Sequence, residues 1–364
     1  MQDCGFPIIN YDKNKTPLEW GQAHGEEFKT AIKELIEIRR GLMFDKNPNI
    51  TGQVLDDLAA EQWQATAHMN HDIHHELEGI RQGSDVSISD IVILNNYTDF
   101  RDIQLPDEGC SVASISKDGA IFTGQTWDMH SSAKRFLSAI NIPEKDGRPA
   151  HVAFSIVGCV GMMGLNSNGQ FIGVNNINTD KARAGVIWPA LIRHCLEATD
   201  YRDLSDRLLS ARVTSGHNYI LASNAISECW EVTPTDQERT GRVLVAENSQ
   251  LFHTNHCLGE RIKQLETPLA MNSTTHIRYK LVEKKITDVT DLDSLEQMFK
   301  DHENYPKSIC SHFQSGAQDP SSTCGGGVFD MNKMFGKFWR GCPEHDSNFK
   351  QYSINFSEGG FTIS

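Results

Sequence analysis

One pair of residues in this 364-residue chain could form a reactive centre: Gly109 followed by Cys110. A thiol at the head of a strand can attack the carbonyl just before it, and glycine leaves that carbonyl sterically open. An N-to-S acyl shift followed by hydrolysis would cut the chain and expose the α-amine of Cys110. Such an amine titrates near ~8, so at neutral pH it can act as base for its own thiol. A carboxylate is placed to join it. The run from Cys110 to Ser116 alternates as a half-buried strand does. Asp118-Gly119 then signals a tight hairpin turn, and Ala120 to Asp128 reads as the returning strand. With Asp118 and Gly119 as the loop, Lys117 faces Ala120. Counting outward puts Cys110 opposite Trp127 and Asp128 opposite Gly109. A bulge would slip this register by a residue without separating the groups. An isolated Gly-Cys pair is more simply a buried cysteine in a hairpin, so the rest of the chain has to decide.

The elements around the hairpin read as follows. Thr16 is an N-cap and Pro17 a first-turn residue, and the stretch to Gly25 leads into an amphipathic helix from Glu26 to about Leu42. A loop from Asn47 to Gly52 precedes a second helical segment, about Val54 to Gly79. Its His68, His71 and His75 share one face by spacing, either as a metal-binding face or as a polar solvated one. No carboxylate–histidine motif accompanies them, so no metal is expected. Ser87 and Asp90 cap a short helix through Asn96, and an exposed acidic linker, Gln104 to Glu108, delivers the chain to Gly109. Beyond the hairpin, strands are expected at Phe136 to Ile142, His151 to Val157, Gln170 to Asn175, Ser215 to Leu221, Glu228 to Val232 and Leu251 to Cys257. Helices are expected at Ile187 to Ala198, Tyr201 to Leu209 and, capped by Asp291, Leu292 to Asp301. The tail from Gly326 reads as strands with a turn at Gly341-Cys-Pro, and Gly325 to Gly327 as a flexible or tightly turned loop. Blocks of helices and blocks of strands indicate an α+β fold, two packed sheets covered by helices in a single unit over 1–364.

Composition narrows the function. The 34 basic and 48 acidic residues give a net charge of −14 with no basic stripe, which argues against nucleic acid and anionic membranes as partners. No apolar run approaches membrane-spanning length, and the first residues lack the pattern of a signal peptide. Nine scattered cysteines, an odd number, fit thiols of a cytoplasmic protein better than a disulfide framework. No Cys-x-x-Cys pair, phosphate-binding loop or dinucleotide fingerprint occurs, so no cofactor is expected.

Several separated motifs carry a family resemblance across most of the chain. They are Thr16-Pro17 to His24-Gly25, Gly79-Ile80 to Asn95, Glu108-Gly-Cys110, Gly124-Gln-Thr-Trp-Asp128, Gly164-Leu-Asn-Ser-Asn-Gly169, His253-Thr-Asn-His-Cys257, and Asn304-Tyr-Pro306 through Cys310. The chain resembles the acyl-CoA:6-aminopenicillanic acid acyltransferase (isopenicillin N acyltransferase) family of N-terminal nucleophile hydrolases, which includes the insect β-alanyl-dopamine and carcinine hydrolases. The resemblance implies a four-layer αββα sandwich and a zymogen that cleaves itself before a cysteine. The products would be a small chain, 1–109, and a large chain, 110–364, that stay together. It implies that Cys110 is the nucleophile. By the same match Asp128 sits by it and contacts the amine part of the substrate, and Asn255 stabilises the oxyanion through its amide donors. Two positions depart from the pattern. Glu108 replaces an aspartate before Gly-Cys, and Ser311 stands where an arginine would help bind a substrate carboxylate. Serine cannot supply that charge. An amine without a carboxylate is therefore expected, or a carboxylate held by another basic residue.

The function expected is hydrolysis of a linear amide, an N-acyl amine or N-acyl amino acid, through a Cys110 thioester. The alternative is acyl transfer to an amine from an amide or an acyl thioester donor. Trp127 would serve either as hairpin packing or as a substrate platform. Ser215 could assist cleavage, although Ser-Gly is also ordinary turn chemistry. A papain-like protease using His253 or His256, and an uncut scaffold on the same fold, are the competing readings.

Overall fold

The Asp118-Gly119 turn is where the architecture starts. Both residues have positive φ, 49° and 77°, the left-handed pair that a two-residue hairpin loop requires and that Asp-Gly tolerates. The computed structural model describes residues 3–46, 50–102, 109–269, 273–313, 321–357 and 360–364. In it β2 (Val112–Lys117) and β3 (Ala120–His130) pair antiparallel with Lys117 opposite Ala120 and Val112 opposite Gln125. The ladder continues outward, since the Thr126 N–H donates to the Ser111 carbonyl at 2.9 Å. The expected register therefore holds, with Cys110 level with Trp127 and Gly109 level with Asp128. The linker from Gln104 to Glu108 lies outside the described residues.

This hairpin forms the second and third strands of a seven-stranded sheet in the order β11-β2-β3-β12-β13-β14-β15. The other strands are β11 (Gln250–His253), β12 (Ser321–Asp330), β13 (Phe335–Arg340), β14 (Lys350–Ser357) and β15 (Gly360–Ile363). A second sheet of eight strands runs in the order β1-β4-β5-β6-β7-β8-β9-β10. It comprises β1 (Ile8–Asn10), β4 (Leu137–Ile142), β5 (His151–Ile156), β6 (Met163–Asn166), β7 (Phe171–Asn176), β8 (His217–Ala222), β9 (Ile226–Val232) and β10 (Gln237–Leu244). The sheets meet through aromatic pairs, Trp127 on Phe154 at 6.2 Å and Phe171 on Phe329 at 5.3 Å. They are also tied by Gln125, whose amide reaches across to the Val174 backbone, donating at 3.1 Å and accepting at 2.7 Å. A Cβ at Gly173 would lie 2.4 Å from that Gln125 oxygen, so glycine keeps the tie possible.

Helices cover both outer faces. Leu281, Val282, Leu295 and Phe299, from α8 (Thr275–Lys285) and α9 (Leu292–Phe299), bury Ile115 and Phe122 of the first sheet. α6 (Trp188–Leu196) and α7 (Tyr201–Leu209) lie on the second. α4 (His71–Ser84) and α5 (Ile88–Asp102) pack against α6, α1 (Pro17–Glu27) reaches the turn after β5 through His24, and α2 (Lys29–Lys46) and α3 (Gly52–Met69) pack on α4 and α5. The result is the expected α+β, αββα sandwich.

Three expectations are corrected. The first helix begins at Pro17, not Glu26, because Thr16 and Glu19 close a capping box there; the chain breaks at Phe28 before α2. The segment from Val54 to Gly79 is two helices, because Asn70 leaves helical geometry (φ −154°, ψ 106°) to cap α4. That break separates His68 from His71 and His75, so the three do not form one helical face. Gly325 to Gly327 are a buried part of β12, not a loop. Side chains there would strike the β13 aromatics: a Cβ on Gly326 would lie 2.4 Å from Trp339 Cζ2, and one on Gly327 2.7 Å from Phe338 Cδ1. The strands β1, β6 and β10 and the helix α8 were not anticipated.

Candidate active site

Cys110 lies buried at the head of β2, and three neighbouring segments converge on it. From its own hairpin comes Asp128. From the loop after β11 comes Asn255, carried to the thiol because that loop docks on the end of β7 in the opposite sheet. The Asn175 side chain donates to the Thr254 carbonyl, and Asn255 Nδ2 donates to the Asn176 carbonyl at 2.8 Å. From α8 comes Arg278.

Asn255 Oδ1 is the hub. It accepts the Cys110 backbone N–H at 2.8 Å and Arg278 Nη2 at 2.8 Å. Two donors on the oxygen and an accepting carbonyl on the nitrogen fix which way the amide points. One proton of Nδ2 goes to the Asn176 carbonyl, and the amide carries a second. The resemblance implied only the donor role for this amide, whereas here its oxygen also holds the amide nitrogen of the Gly109–Cys110 bond. Arg278 Nη1 donates to the Cys110 carbonyl at 2.7 Å and to Ser111 Oγ at 3.1 Å. The guanidinium thus spans the Cys110 backbone and the asparagine.

Asp128 is buried beside Gly109. A Cβ on Gly109 would lie 2.7 Å from Arg278 Nη2 and 3.1 Å from Asp128 Oδ2, so a side chain here would have to displace one of these two groups. Asp128 Oδ1 accepts the Thr323 hydroxyl at 2.7 Å. Burial pushes its carboxyl up to about 6, against the pull of Arg278 and of the Thr323 and Thr126 hydroxyls. Thr323 in turn accepts the Ser311 N–H at 2.8 Å. Ser311 therefore stands behind Thr323, one residue removed from Asp128, and among the described residues it does not line the cavity over Cys110. That cavity is bordered by Cys110, Trp127, Asp128, Met129, Trp188 and Asn255, among others, and no lysine or arginine borders it among the described residues. Trp127 packs on Phe154 and also borders the cavity.

The histidines are occupied elsewhere. His253 Nε2 meets Glu231 at 2.8 Å in a fully buried pair, and its Nδ1 faces the Thr254 carbonyl and Asn175. His256 Nδ1 contacts the hydroxyls of Thr254 and Thr275. Neither is arranged as the base of a Cys/His protease. His24, in the Thr16-to-Gly25 motif, is also structural: it accepts the Gly158 N–H at 2.9 Å, and burial lowers its pKa to about 3.

Arg278 is the site residue that sequence reasoning missed. Thr275, Arg278, Leu281 and Val282 form the buried face of α8. An arginine at an apolar-face spacing, three residues before Leu281, was the available signal.

An αββα sandwich with a cysteine heading a central strand, and an aspartate, an asparagine and an arginine gathered on it, has the layout of an N-terminal nucleophile hydrolase. A family model described as acyl-coenzyme A:6-aminopenicillanic acid acyl-transferase matches residues 115–342, and the chain belongs to that family. It is similar to the acyl-coenzyme A:6-aminopenicillanic-acid-acyltransferase 40 kDa form of Emericella nidulans, 26% identical over 330 residues, covering 86% of this chain and 87% of that one. Among solved structures it is similar to a Caenorhabditis elegans N-acylethanolamine-hydrolyzing acid amidase orthologue (12% identity, TM-score 0.40, 61% of this chain and 93% of that one). It is also similar to a mutant of conjugated bile acid hydrolase from Clostridium perfringens (10% identity, TM-score 0.43, 71% and 96%).

Proposed function

We propose that the chain cuts itself between Gly109 and Cys110, and that the exposed Cys110 then hydrolyses a linear amide through a thioester. The observation that carries this is the hold on the Gly109–Cys110 bond: its nitrogen donates to Asn255 Oδ1, and its glycine is pressed between Asp128 and Arg278. In cleavage the Cys110 sulfur adds to the Gly109 carbonyl, the C–N bond breaks, and the nitrogen takes a proton to become the α-amine. Water then resolves the thioester, releasing the Gly109 carboxylate and the thiol. Asn255 Oδ1 keeps hold of the new amine. With a substrate the same steps recur: the amine takes the thiol proton, the thiolate attacks, and the second Nδ2 proton of Asn255 meets the oxyanion. The amine then protonates the leaving group, and water, or a second amine in the transfer reaction, releases the acyl group.

The two chains would remain together, because 3–102 is bound in by more than the peptide bond. β1 pairs parallel with β4, and Glu76 of α4 forms a buried bidentate pair with Arg193 of α6. The nine cysteines, odd in number and scattered along the chain, favour a reducing compartment such as the cytoplasm. No helix among the described residues is long and apolar enough to cross a membrane.

The cavity presents a carboxylate and no cation among its described residues, so the amine part of the substrate should carry no carboxylate. A buried guanidinium–carboxylate pair contributes ~1.5–3 kcal/mol, and its lack corresponds to roughly ten- to a hundred-fold. The test compares one acyl group on an amine and on its carboxylated counterpart, with Cys110→Ala as control. The uncarboxylated amide should have the higher kcat/KM, and Cys110→Ala should turn over neither. A strong preference for the carboxylated partner would overturn the substrate reading, and turnover by Cys110→Ala would overturn the nucleophile.

A further inference from the structure

Behind the Asp128 wall, four side chains from three separate segments converge on one point. His302 follows α9, Cys310 and His312 precede β12, and Cys342 follows β13. Their ligand atoms, Nε2 of each histidine and Sγ of each cysteine, all lie within 4.8 Å of one another. His302 Nε2 is 3.3 Å from His312 Nε2 and 3.2 Å from Cys342 Sγ, and Cys310 Sγ is 3.6 Å from His312 Nε2.

These lengths suit the edges of a tetrahedron about a zinc ion. Zn–N bonds of ~2.0–2.1 Å and Zn–S bonds of ~2.3 Å at tetrahedral angles place nitrogens about 3.3 Å apart, and nitrogen and sulfur about 3.5 Å apart. A chain of thiol–imidazole hydrogen bonds needs only pairwise neighbours, whereas here every donor atom is close to every other. Two thiols and two imidazoles are the Cys₂His₂ donor set of structural zinc sites. Their backbones are fixed independently: the Cys310 N–H donates to the Asp301 carbonyl at 3.1 Å and the Cys342 N–H to Asp346 Oδ2 at 2.7 Å. The other nitrogen of His302, Nδ1, faces the Glu344 carboxylate at 3.4 Å, the side from which an outer carboxylate orients a ligating histidine.

We infer that His302, Cys310, His312 and Cys342 form a structural zinc site. Binding exchanges two thiol protons for one Zn²⁺, so the thiolates balance the ion's charge. With four protein ligands the coordination is closed, and no position is left for water or substrate. Its role is to staple the three segments together. The residue between two of the ligands is Ser311, whose N–H holds Thr323 Oγ1, and Thr323 holds Asp128. The ligand spacing matches no common zinc motif, because the fourth ligand arrives from beyond β12 and β13.

The test is metal analysis of the full chain, purified reduced and without chelator, exposed to zinc sulfate and then desalted. About one zinc per chain is expected. Cobalt(II) in its place should give thiolate charge-transfer bands in the near ultraviolet and the visible bands of a tetrahedral ion. Cys342→Ser should lose both, and chelation should lower the melting temperature of wild type but not of Cys342→Ser. If Cys342→Ser fails to fold, the wild-type cobalt spectrum decides alone. Folded, reduced wild type that retains no zinc and shows no tetrahedral cobalt spectrum would overturn the site, as would full zinc retention by Cys342→Ser or a native Cys310–Cys342 disulfide.

Discussion

Asp128 is a carboxyl group whose charge is disfavoured by burial and supported by one guanidinium and two hydroxyls. Its folded pKa, about 6, lies above the ~3.9 of an unfolded chain. Its contribution to stability is therefore fully present below ~3.9 and is lost as pH rises through about 6. Catalysis runs the other way if the ionised form is the one that faces the amine. We expect kcat/KM to rise with an acid limb near pH 6. Arg278→Gln, which removes the charge favouring ionisation, should move that limb to higher pH. A pH–rate profile of cleaved protein checks both, and an unmoved limb would take Arg278 out of the account. Asn255→Ala, assayed as cleaved and folded protein, should lower kcat by about 10²–10³ with little change in KM. Normal turnover would remove Asn255 from the site. The residues legible in the sequence were those tied to a hairpin register or a recognisable motif: Cys110, Asp128 and Asn255. Arg278 sits in a helix with His276, Lys280, Lys284 and Lys285, and that surrounding charge hid its buried direction.

At the scale of elements, α1 and α4 approach so closely that glycines form the seam. A Cβ on Gly21 would lie 2.0 Å from the Glu76 carbonyl oxygen, and one on Gly79 2.2 Å from that of Leu18. Both obstacles are backbone, so a methyl group must push the helices apart. Gly21→Ala and Gly79→Ala should each destabilise by about 1–3 kcal/mol or more, as overpacking does. Gly41, in α2, has nothing within 4 Å of its Cβ position. Gly41→Ala should stabilise by about 0.5–1 kcal/mol from helix propensity alone. Denaturant melts of the three variants check the contrast, and similar behaviour for all three would refute the seam. The sequence announced most elements through alternation, helical spacing and caps, and α7 matched to the residue. The breaks at Phe28 and Asn70 were not legible, because the helical pattern continues across each and tertiary contacts decide where the axis turns. The glycine run in β12 misled for a similar reason. Glycine signals a turn locally, while here the packing of Trp339 and Phe338 demands it.

The whole molecule is a sandwich in which the seven-stranded sheet and its covering helix carry the site residues and the opposite sheet fixes the loop of Asn255. The hairpin brings Cys110 and Asp128, β7 of the opposite sheet holds the loop of Asn255, and α8 lays Arg278 across them. Layering was legible from the order of helix and strand blocks. The meeting of β7 with the loop after β11 was not, since it depends on contacts between residues such as Asn176 and Asn255, far apart in the chain. The segment before the cut is woven into the fold by β1, the α1–α4 pair and the Glu76–Arg193 ion pair, so it should stay bound after cleavage and leave only on denaturation. The measurement that bears most directly on the account is the intact mass and N-terminal sequence of purified wild type beside Cys110→Ala. Wild type should separate under denaturation into 1–109 and 110–364, with a new N-terminus reading Cys-Ser-Val-Ala, while Cys110→Ala should remain one polypeptide. Active wild type consisting only of the uncut chain would contradict the account.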